Sequence, residues 1–250
     1  AMIVFDFNKQ NQDQDKTQGS ISKMESLLHL YETLNQIKNP YILKALGICF
    51  GDEEHKPSML FEYLPNSLKK MVKKLTNEEK IAVIYEVADA LNQAHLQGIS
   101  HLNLNPENIL IDSENQAKVT DFGVSSLINF NSPEMIRQKF GSSFQFLAPE
   151  IFQCTKINDE KVDVYSLGIV IYYIIANGEL PNVEINDQNK VKIDLSSFPG
   201  NFNEYASGLI CKCCSMDPEE RPSLADIVSN LEESFDLIDG VDISAIKTRL

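Results

Sequence analysis

The order of hydrophobic and polar positions divides the chain into a short strand-rich part and a longer helix-rich part. In the first part, apolar runs of strand length or apolar positions at helical spacing cover residues 1–7 (strand), 21–37 (helix), 41–50 (strand) and 57–63 (strand). The polar residues 8–20 are expected to form a solvated loop. Asn39-Pro40 is expected to end the helix, because proline disfavours helical backbone in the residue before it.

The pattern changes after the linker-like residues 65–67, and helices are expected to dominate the rest of the chain. Residues 76–79 have the form of a capping box, in which a threonine and a glutamate satisfy two free backbone N–H groups at a helix start. The polar turn 112–115 lies between two short β-prone runs and predicts a hairpin. Residues 164–175 are apolar on nearly all sides and predict a helix buried on every face. Two further amphipathic segments are expected at about 203–215 and 223–234.

The composition is that of an acidic folded domain. The 250 residues are 43% hydrophobic, and 22 basic against 36 acidic side chains give a net charge of −14. Non-specific binding of nucleic acid or of an anionic bilayer needs an excess of Lys and Arg, so neither partner is expected. The most apolar run, residues 164–176, is too short to cross a bilayer. The five cysteines are an odd number that suits a reducing compartment, so a soluble cytoplasmic protein is expected.

Three short motifs in the helix-rich part carry most of the functional information. They are His101-Leu102-Asn103-Leu104-Asn105-Pro106-Glu107-Asn108, Asp121-Phe122-Gly123 and Ala148-Pro149-Glu150. Their order and spacing resemble the catalytic loop, the metal-binding loop and the end of the activation segment of the eukaryotic protein kinase family. Residues 163–168 and 217–222 are similar to two further landmarks of that family. The resemblance implies an α+β, bilobal protein-kinase-like fold, with a truncated β-rich N-lobe at residues 1–64 and an α-helical C-lobe at 65–250 that together form one domain.

The resemblance also implies positions for ATP and Mg²⁺. The residues that match the family's adenine pocket, with Phe61 as the gatekeeper, are Ala1, Phe61, Glu62, Leu64 and Leu110. Asn108 and Asp121 match the metal-binding positions, and their oxygen atoms suit the preference of Mg²⁺ for hard oxygen ligands. Residues 142–147 are similar to a stretch common in tyrosine-kinase-like serine/threonine kinases.

Apolar residues replace the ion pair that orients the ATP phosphates in this family. The sequence has no G-x-G-x-x-G motif, and Ile3 stands at the position of the family's strand lysine. Counting back from Asn39-Pro40 places Leu30 at the position of the helix glutamate, and the nearest acid, Glu32, is expected on a different helix face. Replacing both members of a buried ion pair by apolar groups is often neutral, whereas removing one member leaves a costly charge. Ile3 and Leu30 therefore indicate a contact that is kept as packing after its charge function has lapsed.

The catalytic loop also lacks charged groups that the family uses. Asn103 stands at the position of the Asp that accepts the hydroxyl proton, and an amide oxygen does not take up a proton at neutral pH. A positioned base contributes about 10²–10⁴-fold to the rate. Asn105 replaces the lysine that binds the γ-phosphate, and Leu102 replaces the arginine that pairs with a phosphorylated activation segment. These replacements together predict phosphotransfer below a useful rate.

Other family positions keep the expected residue types. His101, Phe122 and Leu34 resemble members of the family's internal apolar spine, and Asp163 resembles its anchor. Glu150 and Arg221 resemble the family's structural ion pair. A basic cluster is also present, and it is interpreted as a solvated helix face, with contact to an acidic partner as the alternative: Lys69, Lys70, Lys73 and Lys74.

The sequence thus predicts a pseudokinase, a kinase-fold regulatory or scaffolding module with weak or no binding of ATP and Mg²⁺. Its expected partner is a protein, such as an active kinase or its substrate. The alternative is a low-activity ATP-dependent serine/threonine protein kinase, for which Lys118 is the candidate displaced lysine. A third interpretation is a kinase domain whose first strands lie upstream in a longer product, which a glycine-rich motif immediately before Ala1 would support.

Overall fold

A computed structural model describes most of the chain. The described residues are 2–4, 16–51, 55–122, 140–152, 158–185, 191–195, 198 and 203–250. Within these ranges, only the backbone is described for residues 2–4, 16–23, 142, 183–185 and 191–192. The described residues form a small strand-rich lobe followed by a larger helix-rich lobe, in agreement with the predicted α+β bilobal kinase-like fold.

An antiparallel sheet and one long helix form the strand-rich lobe. They are β1 (Met2–Val4), α1 (Lys16–Gln36), β2 (Ala45–Cys49) and β3 (Ser58–Phe61). The sheet order is β1-β3-β2, so β3 lies in the centre and pairs with both neighbours. Helix α1 packs against β2, and the apolar side chains that its sequence spaces three or four residues apart are buried: Leu27, Leu30 and Leu34.

Helix α1 begins earlier than the hydrophobic pattern predicts. Residues 16–20 belong to its first turns, so the prediction of a loop was wrong for these residues. The segment is polar and lacks an apolar stripe, which leaves no periodic signal, although its lysine and glutamine residues favour helical backbone. Residues 5–15, which the same prediction covered in part, lie outside the described residues.

The helix-rich lobe is built around two long helices. In chain order its described elements are β4 (Asn66–Ser67), α2 (Leu68–Met71), α3 (Asn77–His95), β5 (Ile109–Ile111), β6 (Ala117–Val119), α4 (Pro149–Phe152), α5 (Asp159–Ile175), β7 (Asn182–Ile185), β8 (Val191–Asp194), α6 (Glu204–Cys213), α7 (Leu224–Ser234) and α8 (Ile243–Arg249). Short 3₁₀ helices cover Gly141–Phe146 and Pro218–Glu220. Helix α3 packs against α5, α7 and α8, while β6 lies against α3 and carries the predicted β5–β6 hairpin on the lobe.

The start of α3 confirms the predicted capping box. The Thr76 hydroxyl accepts a hydrogen bond from the backbone N–H of Glu79 at 3.2 Å, and the Glu79 carboxylate accepts one from the backbone N–H of Thr76 at 2.8 Å. The second oxygen of this carboxylate accepts a bond from Asn115 Nδ2 at 2.6 Å. The cap therefore also ties α3 to the turn of the β5–β6 hairpin.

Helix α5 is buried on every face, as its continuous apolar run predicts. Each residue from Val162 to Ile175 is buried. Helix α6 approaches α5 closely at Gly168, where the absence of a side chain leaves room for Cys213 and Cys214. No helix in the described part of the chain is both long and apolar enough to cross a membrane.

Replacing Gly168 with alanine is expected to lower the free energy of unfolding by about 1–3 kcal/mol, the usual range for overpacking. The added Cβ atom would lie 2.7 Å from Cys213 Cβ and 2.8 Å from Cys214 Sγ, where α6 meets α5. Urea unfolding followed by circular dichroism measures the change. Gly208→Ala, on the exposed side of α6, is the matched control, because its added Cβ atom meets nothing within 4 Å. A stability of Gly168→Ala equal to that of the unchanged protein would contradict the close packing.

Hydrogen bonds fix the segment after α1 to the helix-rich lobe. Val119 N–H donates to the Tyr41 carbonyl at 2.7 Å, and Leu43 N–H donates to the Val119 carbonyl at 2.9 Å. The Asn39 side chain donates from Nδ2 to Asp89 on α3 at 2.7 Å and accepts from Tyr41 N–H at 2.8 Å. The end of α1 is thus held to both β6 and α3, which sets the position of α1 beside the candidate site.

Helix α8 is fastened to the same hairpin through Arg249. Its Nη2 donates to the Asn115 carbonyl at 2.6 Å and lies 3.3 Å from Glu86 Oε1. Glu86 is completely buried and also accepts a bond from Ala117 N–H at 2.6 Å. Burial raises the pKa of the Glu86 carboxyl, and the Ala117 N–H and the Arg249 guanidinium act in the opposite direction.

Candidate active site

Asp163 on α5 holds the loop that contains the first kinase-like motif. Its Oδ2 accepts hydrogen bonds from His101 N–H and from His95 Nε2, each at 2.7 Å, and its Oδ1 accepts one from Leu102 N–H at 2.7 Å. Leu102 has a φ of 59°, a left-handed conformation that costs energy for a residue with a branched side chain. The buried carboxylate therefore stabilises a strained turn, in agreement with the predicted role of Asp163 as an anchor.

The His101 and Phe122 rings bring the first two motifs into contact. Their centroids are 4.9 Å apart, and both side chains are buried, as is Leu34 on α1. Burial lowers the pKa of the His101 imidazole, so its neutral form is favoured. The structure thus shows the contact between two of the three residues predicted for the apolar stack, His101 and Phe122.

Asn105 is turned into its own loop. Its Nδ2 donates to the Asn103 carbonyl at 2.9 Å and to Asn103 Oδ1 at 3.2 Å, while its Oδ1 accepts from Glu107 N–H at 2.9 Å. The side chain is 3% exposed. The amide at this position thus stabilises the loop by hydrogen bonds in the way a neutral donor and acceptor can, and it carries no charge toward a phosphate.

Asn108 and Asp121 occupy adjoining backbone positions. The Asn108 carbonyl accepts a hydrogen bond from Thr120 N–H at 3.0 Å, one residue before Asp121, and Asn108 Nδ2 donates to the Asn103 carbonyl at 3.1 Å. Thr120 Oγ1 donates to Asp121 Oδ1 at 3.3 Å. The Asn108 amide is thereby oriented with its nitrogen toward the loop, which leaves Oδ1 as the oxygen able to serve a cation.

Asp121 is partly buried, and its backbone has a left-handed conformation with a φ of 66°. Burial raises its pKa, while the His101 imidazole and the Thr120 hydroxyl lower it. Among the described residues, no lysine or arginine nitrogen lies within 4.0 Å of this carboxylate.

The two positions predicted to replace the ion pair lie on β1 and α1. The sheet register sets Ile3 opposite Met59 on β3, while Leu30 is buried in the apolar core that also includes Met59 and Phe61. Glu32 is exposed, so it lies on a different face of α1 from Leu30, as its spacing predicts. A one-turn shift of α1 would therefore not carry Glu32 into the core.

Lys118, the candidate displaced lysine, is held by groups outside the catalytic-type loop. Its ammonium donates to the Pro40 carbonyl at 2.7 Å and to Gln116 Oε1 at 2.6 Å, and it lies 3.7 Å from Asp112 Oδ2. Two hydrogen bonds and one longer ion-pair contact therefore engage the ammonium group of Lys118.

The residues matched to an adenine pocket differ in their exposure. Phe61, at the end of β3, is buried, Leu64 and Leu110 are half-buried against the core, and the side chain of Glu62 is exposed. Ala1 lies outside the described residues. The apolar positions are of a kind that fits a planar base, and the oxygen donors of Asn108 and Asp121 fit Mg²⁺, which keeps several waters and takes few protein ligands.

Glu150 and Arg221 form the predicted ion pair. Arg221 Nη1 and Nη2 donate to the two carboxylate oxygens of Glu150 at 2.6 and 2.9 Å. The guanidinium also donates to the Ser215 and Lys161 carbonyls at 2.9 and 2.8 Å and lies 5.1 Å from the centre of the Tyr165 ring. The pair fixes α4, at the end of the activation-type segment, to α5 and to the segment before α7.

Two contacts at the site carry no signal in the sequence pattern. The half-buried His95 bonds to Asp163, which lies 68 residues further along the chain. Lys69, predicted as part of a solvated face, forms an ion pair with Glu107 of the catalytic-type loop at 2.6 Å. Such pairs depend on how α2, α3 and α5 are placed in the fold, and no motif spacing reveals them.

Comparisons with known proteins agree with this geometry. Residues 6–231 match the family described as "Protein kinase domain". An Aurora kinase of Saccharomyces cerevisiae is 29% identical over 202 residues, which cover 78% of this chain and 53% of that protein. An Aurora kinase of Patiria pectinifera is 29% identical over 224 residues (86% of this chain, 53% of that protein), and a probable LRR receptor-like serine/threonine-protein kinase of Arabidopsis thaliana is 27% identical over 247 residues (88% and 25%).

The chain therefore spans about a quarter to about half of the length of these relatives. The family match, by contrast, extends over most of this chain, from the strand-rich lobe to α7, and includes each of the motifs described above. On this evidence the chain belongs to the protein kinase family.

Proposed function

We propose that this chain is a pseudokinase, a kinase-fold module that regulates or scaffolds another protein without transferring phosphate at a useful rate. The observation that carries the proposal is the surroundings of Asp121, where no lysine or arginine nitrogen of the described residues lies within 4.0 Å of the carboxylate. Phosphoryl transfer relies on positioning and on charge stabilisation around the γ-phosphoryl group. A site without such cations supplies little of that stabilisation.

The replaced positions support the same conclusion independently of any segment that precedes Ala1. Asn103 has no group that accepts a proton at neutral pH, and Asn105 is bonded within its own loop. Leu30, which we match to the family's glutamate, is buried, and Ile3, which we match to its lysine, carries no charge. Both halves of the ion pair have changed together, which avoids the cost of a stranded buried charge.

We expect the binding of ATP and Mg²⁺ to be weak or absent. Mg²⁺, if bound, would supply positive charge that offsets the charge of the ATP phosphates. Asp121 and Asn108 are the residues that would hold the metal, and Phe61, Leu64 and Leu110 would contact the base. The lack of a lysine or arginine beside Asp121 among the described residues weakens this binding, because no cation there offsets the charge of the phosphates.

The partner of this module is, in our proposal, a protein such as an active kinase or the substrate of one. A net charge of −14 disfavours nucleic acid as a partner. We place the chain in the cytoplasm, on its cysteine content, and beside the tyrosine-kinase-like serine/threonine kinases, on the similarity of residues 142–147.

A serine/threonine kinase of low activity is the second candidate. The retained metal-type positions, Asp121 and Asn108, favour it, as do relatives whose names describe serine/threonine kinases. The orientation of Lys118 argues against it, because this lysine is engaged by the Pro40 carbonyl, Gln116 and Asp112.

Purified protein incubated with radiolabelled ATP, Mg²⁺ and a mixture of peptide substrates is expected to transfer no more phosphate than its Asp121→Ala variant. The loss of a positioned base alone lowers the rate by about 10²–10⁴-fold, and the missing cations lower it further. The Asp121→Ala variant controls for contaminating kinases, since it removes the carboxyl that the metal needs. Transfer that depends on Asp121 would overturn the pseudokinase proposal in favour of the low-activity kinase.

The same samples are tested for nucleotide binding by thermal unfolding with and without ATP and Mg²⁺. A ligand at about 100 times its dissociation constant stabilises a protein by about 2.7 kcal/mol, which is a shift of several degrees for a domain of this size. We expect a shift below about 1 °C, because weak binding gives a small mass-action term. A large shift in melting temperature that disappears in Asp121→Ala would show a metal-dependent nucleotide site. Phosphate transfer would still be decided by the first assay alone.

A further inference from the structure

Four lysines of α2 and the turn after it form a positively charged surface on an acidic protein. This α2 lysine surface consists of Lys69, Lys70, Lys73 and Lys74, which are all exposed. They are four of the 22 basic residues in a chain of net charge −14, yet they lie within six consecutive positions. The local charge is therefore opposite in sign to that of the protein as a whole.

The apolar residues of the same segment direct the lysines outward. Leu68, Val72 and Leu75 are buried and fix one face of the segment in the core. The turn is continued by backbone bonds from Val72 N–H to the Leu68 carbonyl at 2.8 Å and from Lys74 N–H to the Met71 carbonyl at 2.7 Å. Positions four apart lie on the same side of a helical turn, which groups Lys69 with Lys73 and Lys70 with Lys74.

Most of this charge is not neutralised by the described part of the chain. Lys69 pairs with Glu107 at 2.6 Å, and Lys70 donates to the Pro65 carbonyl at 3.2 Å. Neither Lys70, Lys73 nor Lys74 has a carboxylate within 4.0 Å among the described residues. Like charges this close repel each other, and an added negative group relieves the repulsion.

The surface adjoins the catalytic-type loop. Lys69 N–H donates to the Pro106 carbonyl at 3.1 Å, while its ammonium meets Glu107 of the same loop. Strand β4, immediately before α2, pairs with β5 at the exit of that loop. A chain segment bound to these lysines would therefore lie beside the catalytic-type loop.

We propose that the α2 lysine surface binds an Asp- and Glu-rich segment of a partner protein. Carboxylates match mobile, compact ammonium charges, whereas phosphate recognition favours the planar fork of arginine, and this surface contains none. An extended polyanion such as nucleic acid or a membrane would also meet the repulsion of the protein's net negative charge, which a short segment largely avoids. The biological meaning of this docking rests on the proposed regulatory function, but the contact itself requires no nucleotide.

The test is fluorescence polarisation with the whole chain and a labelled peptide of alternating glutamate and glycine, without ATP. The triple variant Lys70→Glu, Lys73→Glu, Lys74→Glu is expected to bind the peptide at least about tenfold more weakly, because three exposed ion pairs are lost and replaced by repulsion. The matched control, Lys38→Glu, Lys44→Glu, Lys247→Glu, changes the net charge equally at exposed positions elsewhere and is expected to bind like the unchanged protein. A second triple variant with glutamine tests the same sites without added repulsion.

The proposal is overturned if a glutamine–glycine peptide binds equally well, or if both glutamate triple variants weaken binding to the same extent. Tighter binding of a phosphoserine peptide, of phosphatidylserine vesicles or of a single-stranded oligonucleotide would assign the surface to another kind of partner. Because the assay contains no ATP, absence of peptide binding would overturn this inference while leaving the test of phosphotransfer unaffected, and the reverse holds as well.

Discussion

Replacing Arg221 with methionine is expected to lower the free energy of unfolding by about 3–5 kcal/mol, the usual effect of removing one partner of a buried ion pair. The change leaves the Glu150 carboxylate without the two guanidinium bonds at 2.6 and 2.9 Å. It also leaves the Ser215 and Lys161 carbonyls without their donors. Urea unfolding followed by circular dichroism measures the loss.

The double variant Glu150→Leu, Arg221→Met is the control for this prediction. It removes both charges, so it is expected to be less destabilised than the sum of the two single variants, by about 1–3 kcal/mol of coupling. The Arg221→Lys variant keeps the charge but loses the bidentate geometry, so its free energy of unfolding should lie between those of the unchanged protein and Arg221→Met. Strict additivity of the single variants would contradict a coupled buried pair. The cycle also tests the physical reasoning applied to Ile3 and Leu30, where both charges are already absent.

Replacing Asp163 with alanine is expected to destabilise the protein by about 3–5 kcal/mol, because buried donors lose an ionised acceptor. The backbone N–H groups of His101 and Leu102 would remain in the interior without their bonds of 2.7 Å, and His95 would lose its partner. The left-handed turn at Leu102 would also lose its support. Urea unfolding gives the magnitude, and hydrogen exchange of the His101 and Leu102 amides locates it.

Asp159→Asn is the matched control for Asp163→Asn, because it makes the same chemical change on the same helix at an exposed position. The Asp163→Asn variant keeps one acceptor oxygen, so its loss is expected to be smaller than that of Asp163→Ala and larger than that of Asp159→Asn. If hydrogen exchange of the His101 and Leu102 amides were unchanged in Asp163→Ala, the anchoring role of the Asp163 carboxylate would be contradicted.

Much of the fold follows from local pattern. The all-apolar run of α5 predicts complete burial, and the Thr76 to Glu79 box predicts the start of α3, since both depend on neighbouring residues alone. The first turns of α1 were missed because they carry no apolar stripe, and β7, β8 and α8 were missed because their signals are short. The predicted domain boundary at residues 64 and 65 stays a prediction.

Residue type alone determined the central chemical property of the site. An amide at positions 103 and 105 carries no charge and accepts no proton in any fold, and leucine at position 30 carries none either. The direction of each side chain, however, depends on strand register and on partners far away in the chain. Only the tertiary structure turned Lys118 toward the Pro40 carbonyl and set Lys69 against Glu107, because contacts between distant segments fix those orientations.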